Sequence, residues 1–287
     1  MTQTILVTAA TSNVGSEVVR QLANESVKVR AAVRSIDRVG NFPANVELVE
    51  FNLNDPDTVR AAFREVDRAF LMTPLVPNLT ELDATCTEAA KQAGVKHLVK
   101  LSIMGADTET DMLLAQAHRR SEEFIERSGI AYTFLRPNSF FQNYLIYTRA
   151  SIINDNAIYL PLGSGKLSLV DIRDVATIAT VALTQSGHEN QKYLITGSQV
   201  FDNSEVADIL SDVLGRKINY IDIPEEAARQ AMQANQMPDA QVEMVLGLYQ
   251  AQKAGRYATI TPLFRQITGK DTIEFPQFAR DYADFFK

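Results

Sequence analysis

The chain has 287 residues, 46% of them hydrophobic and 22% charged, with 28 Lys plus Arg against 35 Asp plus Glu and a formal net charge of -7. This is the composition of a soluble globular protein, long enough for one large domain or for a main domain with a smaller companion. The acidic balance disfavours nucleic acid or an anionic membrane as the main partner, although one arginine and a helix N-terminus suffice to hold a single dinucleotide. The lone cysteine, Cys86, excludes an internal disulfide framework and a structural zinc cluster, and fits a reducing, cytoplasmic setting. Residues 1–7 lack the basic and apolar regions expected of a signal peptide, and no apolar run approaches bilayer length.

In chain order, short β-branched runs alternate with segments of helical period, the pattern of a parallel sheet wrapped by helices. Strands are predicted over residues 4–8, 27–33, 46–51, 68–72, 97–102 and 132–135. Between them Val14, Val18, Val19 and Leu22 form one helical stripe, and Asp55 caps a helix that begins at Pro56. Asn78 and Glu81 have capping-box spacing, with Leu79, Leu82, Cys86, Ala89 and Ala93 as the buried face that follows. A further helix over 112–128 stops at Gly129. Beyond Pro137 the rhythm changes: short strands at 158–161 and 166–170 flank a turn at Gly163, Ser164 and Gly165. A helix over 173–185 and a strand over 193–196 then return to the sheet. The remainder, from Asp202, reads as mostly helical with two short connecting strands. The expected organisation is a Rossmann-type, doubly wound α/β domain over 1–136 with a return segment near 167–197. A smaller substrate-binding region takes 137–166 and 198–287.

The segment from Thr8 to Gly15 leads from a strand through small residues into a helix, where this type of fold places its pyrophosphate loop. Glycines are usual at positions 9, 12 and 15; only Gly15 is present, with Ala9 and Ser12 in the other places. Alanine is comfortable at position 9 only if the backbone there avoids positive φ. Ser12 either lends its hydroxyl to a phosphate or crowds the pyrophosphate. Arg34 stands at the end of the next strand, about 20 residues past the loop, where an acidic residue would bind the ribose of NAD. An arginine suits a 2′-phosphate instead, by charge-assisted hydrogen bonds and stacking on adenine, and Arg38 is placed to add a second contact. Loop and arginine together favour NADP(H) over NAD(H).

With these features come Leu101-Ser102 followed by Gly105-Ala106-Asp107, then His118-Arg119-Arg120-Ser121-Glu122 leading into Ser128-Gly129-Ile130. Leu135-Arg136-Pro137 precedes Phe141-Gln142-Asn143-Tyr144, and Val170-Asp171-Ile172-Arg173-Asp174 follows later. In this order and spacing the sequence resembles, over nearly its whole length, the NmrA-like, atypical branch of the short-chain dehydrogenase/reductases, near the quinone and triphenylmethane dye reductases. The resemblance implies that Thr8, Thr11, Ser12, Asn13, Val14 and Gly15 bind the pyrophosphate and Arg34 the adenosine phosphate. It further implies Asn52 on the adenine edge, Met72, Thr73 and Pro74 along the cofactor, and the nicotinamide near Ser102 and residues 137–140, in a cleft covered by the C-terminal region.

Typical superfamily members use a Tyr-x-x-x-Lys pair to protonate a carbonyl oxygen. The corresponding positions here are His118 and Glu122. Either His118 donates a proton with Glu122 supporting its charged form, or both decorate an exposed, densely charged helix face. Ser102 is the second catalytic candidate. A Tyr-x-x-x-Lys does occur at Tyr249 to Lys253, but in the helical C-terminal region, far from the strand ends where the chemistry belongs. Phe140, Phe141, Tyr144 and Tyr147 either line the substrate cleft or belong to the core. His97 and His188 pair with no carboxylate at metal-ligand spacing, so no metal is assigned. The expected function is NADPH-dependent hydride transfer to a quinone-like or other conjugated small molecule, which needs little proton catalysis. The expected assembly is a monomer or a homodimer. The alternatives are a non-catalytic NAD(P)-sensing regulator, and a relative that has lost the dinucleotide and performs non-redox chemistry.

Overall fold

Seven strands form one sheet in the order β3-β2-β1-β4-β5-β6-β8, seen in a computed structural model that describes residues 2–40, 42–109 and 111–287. The strands are β1 (Thr4–Val7), β2 (Lys28–Val33), β3 (Val46–Glu50), β4 (Arg68–Leu71), β5 (His97–Leu101), β6 (Ala131–Pro137) and, after the short β7 (Ala157–Leu160), β8 (Gln191–Ile195). Each neighbouring pair from β3 to β6 runs parallel. The crossovers are α1 (Asn13–Leu22), α2 (Pro56–Ala62), α3 (Leu79–Gln92) and α4 (Leu113–Ser128). The result is a Rossmann-type doubly wound sheet, and its strand order reverses between β1 and β4. Such a reversal opens a crevice at the carboxyl ends of the strands.

Local chemistry explains most of these boundaries. Asp55 caps α2 by accepting the Asp57 N–H at 3.0 Å, and Pro56 takes the first turn, where its missing N–H costs nothing. Gly129 ends α4 at φ 82°, a conformation that a side chain would disfavour. The capping box expected at Asn78 does not form. Asn78 sits at φ -96° and ψ 26° rather than in an extended conformation, and the chain enters α3 through a turn closed by the Leu79 N–H on the Val76 carbonyl. The buried face of α3 accordingly includes Asp83 and Thr87 beside Leu79, Cys86 and Ala89. Cys86 is fully buried, and burial pushes its thiol far up from its ordinary pKa.

The chain divides into two compact units: residues 1–108, 115–136 and 175–193 form one, and residues 109–114, 137–174 and 194–287 the other. The first holds the sheet and a core built on Leu6, Phe63, Leu71, Leu98 and Phe134. The second contains α5 (Asn143–Tyr147), α6 (Arg149–Asn154), α8 (Asn203–Leu214), α9 (Glu225–Ala234), α10 (Asp239–Lys253), α11 (Leu263–Thr268) and α12 (Phe275–Asp281). Helix α7 (Ile172–Thr184) starts in the second unit and continues in the first. The second unit also has a two-stranded parallel sheet, β7 with β9 (Asn219–Asp222). The expected strand at 166–170 is absent; Leu167 and Val170 make only isolated bridges to Phe201 and Phe140. Backbone crowding and single ties replace a ladder there: a Cβ on Gly165 would lie 2.5 Å from the Gln252 carbonyl oxygen, and the Ser168 N–H donates to the Tyr257 carbonyl. After Asp202 there is one strand, β9, rather than two. No helix among the described residues is long and apolar enough to cross a membrane.

Candidate active site

The loop between β1 and α1 keeps a glycine-loop geometry with only one of the three usual glycines. Ala9 lies at φ 48°, in the left-handed region that penalises a Cβ by about 1 kcal/mol. The turn it makes is closed by the Ser12 N–H on the Ala9 carbonyl at 2.9 Å. Gly15 is obligatory for the same reason, because a Cβ there would fall 2.1 Å from that carbonyl oxygen. Ser12 caps α1: its hydroxyl accepts the Gly15 N–H at 3.0 Å and donates toward the Met72 sulfur at 3.3 Å. Of the two expectations for Ser12, neither describes its bonds; the side chain is spent on the helix and on β4. Thr8 is fully buried, with its hydroxyl exchanging hydrogen bonds with the Met72 backbone at 2.8 and 2.9 Å, so it braces the loop and presents no side chain outward.

Thr11 and Asn13 are exposed at the opening of α1, where the first-turn amides of Asn13 and Val14 have no acceptor within the helix. Small side chains, an opening helix of 10 residues and its partial positive charge together fit a pyrophosphate. Arg34 follows the end of β2 as an exposed side chain and makes no ion pair among the described residues. Asn52 is exposed past β3; its side-chain oxygen accepts the Asn54 N–H at 3.1 Å and keeps a second lone pair. Pro74 is exposed, whereas Thr73 is buried with its hydroxyl donating to Asp83 at 3.0 Å.

Helix α4 carries the largest departure from expectation. His118 and Glu122 are both buried, so neither belongs to an exposed charged face. Nor does Glu122 support a charged histidine. Its two oxygens are held by the Arg136 guanidinium at 2.9 and 2.6 Å, and one also accepts the Ser102 hydroxyl at 2.6 Å. Arg136 reaches on to Asp107 at 2.5 Å, holding that carboxyl below the usual range. Burial, with Lys100 close by, keeps the His118 imidazole well below the ordinary histidine pKa, so it is neutral. Among the described residues its Nδ1 has no hydrogen-bond partner. Ser102, 1% exposed, already donates its hydroxyl hydrogen bond to Glu122. Lys100 is itself buried on β5 and pairs with Asp83 at 2.7 Å. Sequence reading missed Asp83, Lys100, Asp107 and the clamping role of Arg136; only the alternation of β5, which puts Lys100 and Ser102 on one face, carried a signal.

In the second unit Pro137 is buried, and Phe141 and Tyr144 belong to the core rather than to a surface that could face a ligand. Phe141 packs on Phe275 and Phe278 with centroids 5.1 and 5.4 Å apart, and the Tyr144 hydroxyl donates to Asn203 at 2.8 Å. Phe140 is half-buried and Tyr147 exposed. Tyr249 and Lys253 do not pair: Tyr249 packs on the small apolar cluster of Ala228, Val242 and Leu246, and Lys253 reaches Asp222 at 3.4 Å.

The sequence pattern of the NmrA-like family matches residues 1–271. The chain belongs to the NmrA-like family. It is similar to an NAD(P)H azoreductase of Xenophilus azovorans, 37% identical over 283 residues, which cover 98% of this chain and 99% of that protein. It is also similar to a (4-alkanoyl-5-oxo-2,5-dihydrofuran-3-yl)methyl phosphate reductase of Streptomyces griseus, 33% identical over 285 residues and covering 98% and 99% of the two chains. Among solved structures, the Citrobacter sp. triphenylmethane reductase complexed with NADP(H) superposes with a TM-score of 0.85 at 25% identity, covering 98% of this chain and 99% of that one. This NmrA-like chain therefore shares its full length with reductases.

Proposed function

We propose that this NmrA-like protein is an NADPH-dependent oxidoreductase that transfers hydride to a conjugated small molecule, with quinones and delocalised cations as the leading acceptors. The observation that carries the acceptor class is the chemistry of α4. Where a carbonyl reductase keeps an ionisable acid, this chain buries a neutral imidazole and a carboxylate clamped by Arg136, and the nearby Ser102 hydroxyl is already a donor to that carboxylate. A ketone reduced there would leave an alkoxide with no proton at hand. A quinone or a triarylmethyl cation spreads or neutralises its own charge, so the protein needs only to hold donor and acceptor together in a dry site.

The bound NADPH supplies the hydride. The loop amides at the opening of α1 hold its pyrophosphate, Arg34 meets the 2′-phosphate and Asn52 the adenine edge. The names of relatives, an azoreductase, a (4-alkanoyl-5-oxo-2,5-dihydrofuran-3-yl)methyl phosphate reductase and a triphenylmethane reductase, each specify an unsaturated or aromatic group, which supports this reading. The test follows loss of NADPH absorbance against a panel of quinones, a triphenylmethane cation and a simple aliphatic ketone. Turnover of the conjugated acceptors but not the ketone is expected; the reverse order would overturn the assignment. Arg34→Ala is expected to weaken NADPH about tenfold while leaving NADH little changed, which thermal shift with each cofactor can read.

A further inference from the structure

A buried ion pair lies beneath the cofactor edge of the sheet and takes no part in the chemistry proposed above. Lys100 on β5 and Asp83 on α3 are both fully buried and 2.7 Å apart. Such a pair is a weak way to gain stability, since desolvating two charges costs about as much as their attraction returns, and apolar residues of similar volume serve as well or better. Its output is directional instead. Asp83 turns its other oxygen to the Thr73 hydroxyl at 3.0 Å, and Thr73 lies in the irregular segment that leaves β4 at the strand-order reversal. The adjoining residue, Met72, is gripped from the opposite side: the Thr8 hydroxyl bonds its backbone N–H and carbonyl, and the Ser12 hydroxyl of the phosphate loop donates to its sulfur. Residues 72 and 73 are thus clamped between the glycine-poor loop and the buried pair.

We propose that Lys100 and Asp83 are positioning residues for the dinucleotide: through the Thr73 hydroxyl they fix the segment after β4 and, through Met72, the register of the phosphate loop. The inference rests on the reading of this chain as an NADPH-dependent enzyme. It accounts for a loop that lacks two glycines and holds Ala9 in a left-handed conformation, because a backbone in that state persists only when its surroundings over-determine it. It also accounts for the identity of Thr73, whose hydroxyl points away from solvent into the carboxylate.

The test compares Thr73→Val, Thr73→Ser and the paired replacement Lys100→Met with Asp83→Leu, using the full-length protein. NADPH and NADH affinities are read by cofactor fluorescence, and kcat and KM with a quinone that the unmodified protein reduces. Thr73→Val removes the hydroxyl at constant shape, so the fold should survive even where the buried double variant fails. The expected result is a loss of affinity of about tenfold for both cofactors in Thr73→Val, from one missing charge-assisted hydrogen bond. Thr73→Ser should keep most of the affinity, the quinone KM should stay unchanged, and a folded double variant should match Thr73→Val. The proposal is overturned if Thr73→Val binds both cofactors as the unmodified protein does, or if a folded double variant does so. If the unmodified protein itself binds neither cofactor, the proposed enzyme reading has failed instead, and the two failures are told apart by that first titration.

Discussion

Two motifs of the superfamily have lost their usual residues in this chain, and they have changed in different ways. In the β1–α1 loop two glycines are replaced, yet Ala9 adopts the left-handed backbone a glycine would take, Gly15 fills the one position with no room for a Cβ, and Ser12 caps the helix. On α4 the positions that the resemblance matches to the tyrosine and lysine hold His118 and Glu122, a buried imidazole shifted well below its ordinary pKa and a carboxylate clamped by Arg136. The difference follows from which atoms do the work. A pyrophosphate is held by backbone N–H groups, so the function survives a change of side chain provided the φ/ψ path survives. A proton donor is a side chain, and replacing it replaces the chemistry.

The strongest way to break that contrast is on the helix. Arg136→Met would leave the Glu122 carboxylate buried without its cation, and a loss of about 3–5 kcal/mol of stability is expected in denaturant titration. A variant as stable as the parent would show that the clamp is not what holds Glu122. Next comes the loop. Gly15→Ala forces a Cβ into the Ala9 carbonyl, so the backbone path must shift; a stability loss of about 1–3 kcal/mol should accompany loss of NADPH protection in thermal shift. Retained protection would mean that the path is not what binds.

A contrast to the clamped Glu122 is Asp174 on α7, a buried carboxylate whose direct partner is the Ile273 N–H at 2.8 Å. Burial raises its pKa to about 7. The folded state then holds a proton that the unfolded chain releases near pH 4, so stability should fall as pH rises through the window from about 4 to about 7. Asp174→Asn should remove that part of the pH dependence and stabilise the protein at pH 8. Equal pH profiles for the two proteins would count against a buried, protonated Asp174. The smallest expected effect sharpens the loop side of the comparison: Ala9→Gly relieves the left-handed alanine and should raise stability by up to about 1 kcal/mol, read as a higher melting temperature.

Much of the sheet was legible because parallel strands buried on both faces read as β-branched runs, and because Asp55-Pro56 and Gly129 mark helix ends by the chemistry of their caps. The site was only half legible. Lys100, Asp83, Glu122 and Arg136 are charged residues and so read as surface, while each is buried by a partner distant in sequence; the Glu122–Arg136 separation of 14 and the Asp83–Lys100 pairing across two elements leave no periodic trace. The alternative of α4 as a charged exterior arises from that cause, since Arg119, Arg120 and Glu123 share its outer turns with the buried His118, Ser121 and Glu122. The strand expected at 166–170 failed for a related reason: its apolar alternation is real, but its backbone partners are scattered over residues 139, 141, 197, 201 and 257 rather than forming one neighbouring ladder.

The central claim is hydride transfer from NADPH without a protonating side chain. It is tested most directly by the pH dependence of kcat/KM for a quinone with NADPH, in the unmodified protein and in His118→Asn. NADPH consumption is expected at a rate that stays level through the histidine range around pH 6.5 and that changes by far less than the roughly hundredfold loss of a general acid in the variant. A rate that tracks an ionisation in that range and collapses in His118→Asn would contradict it.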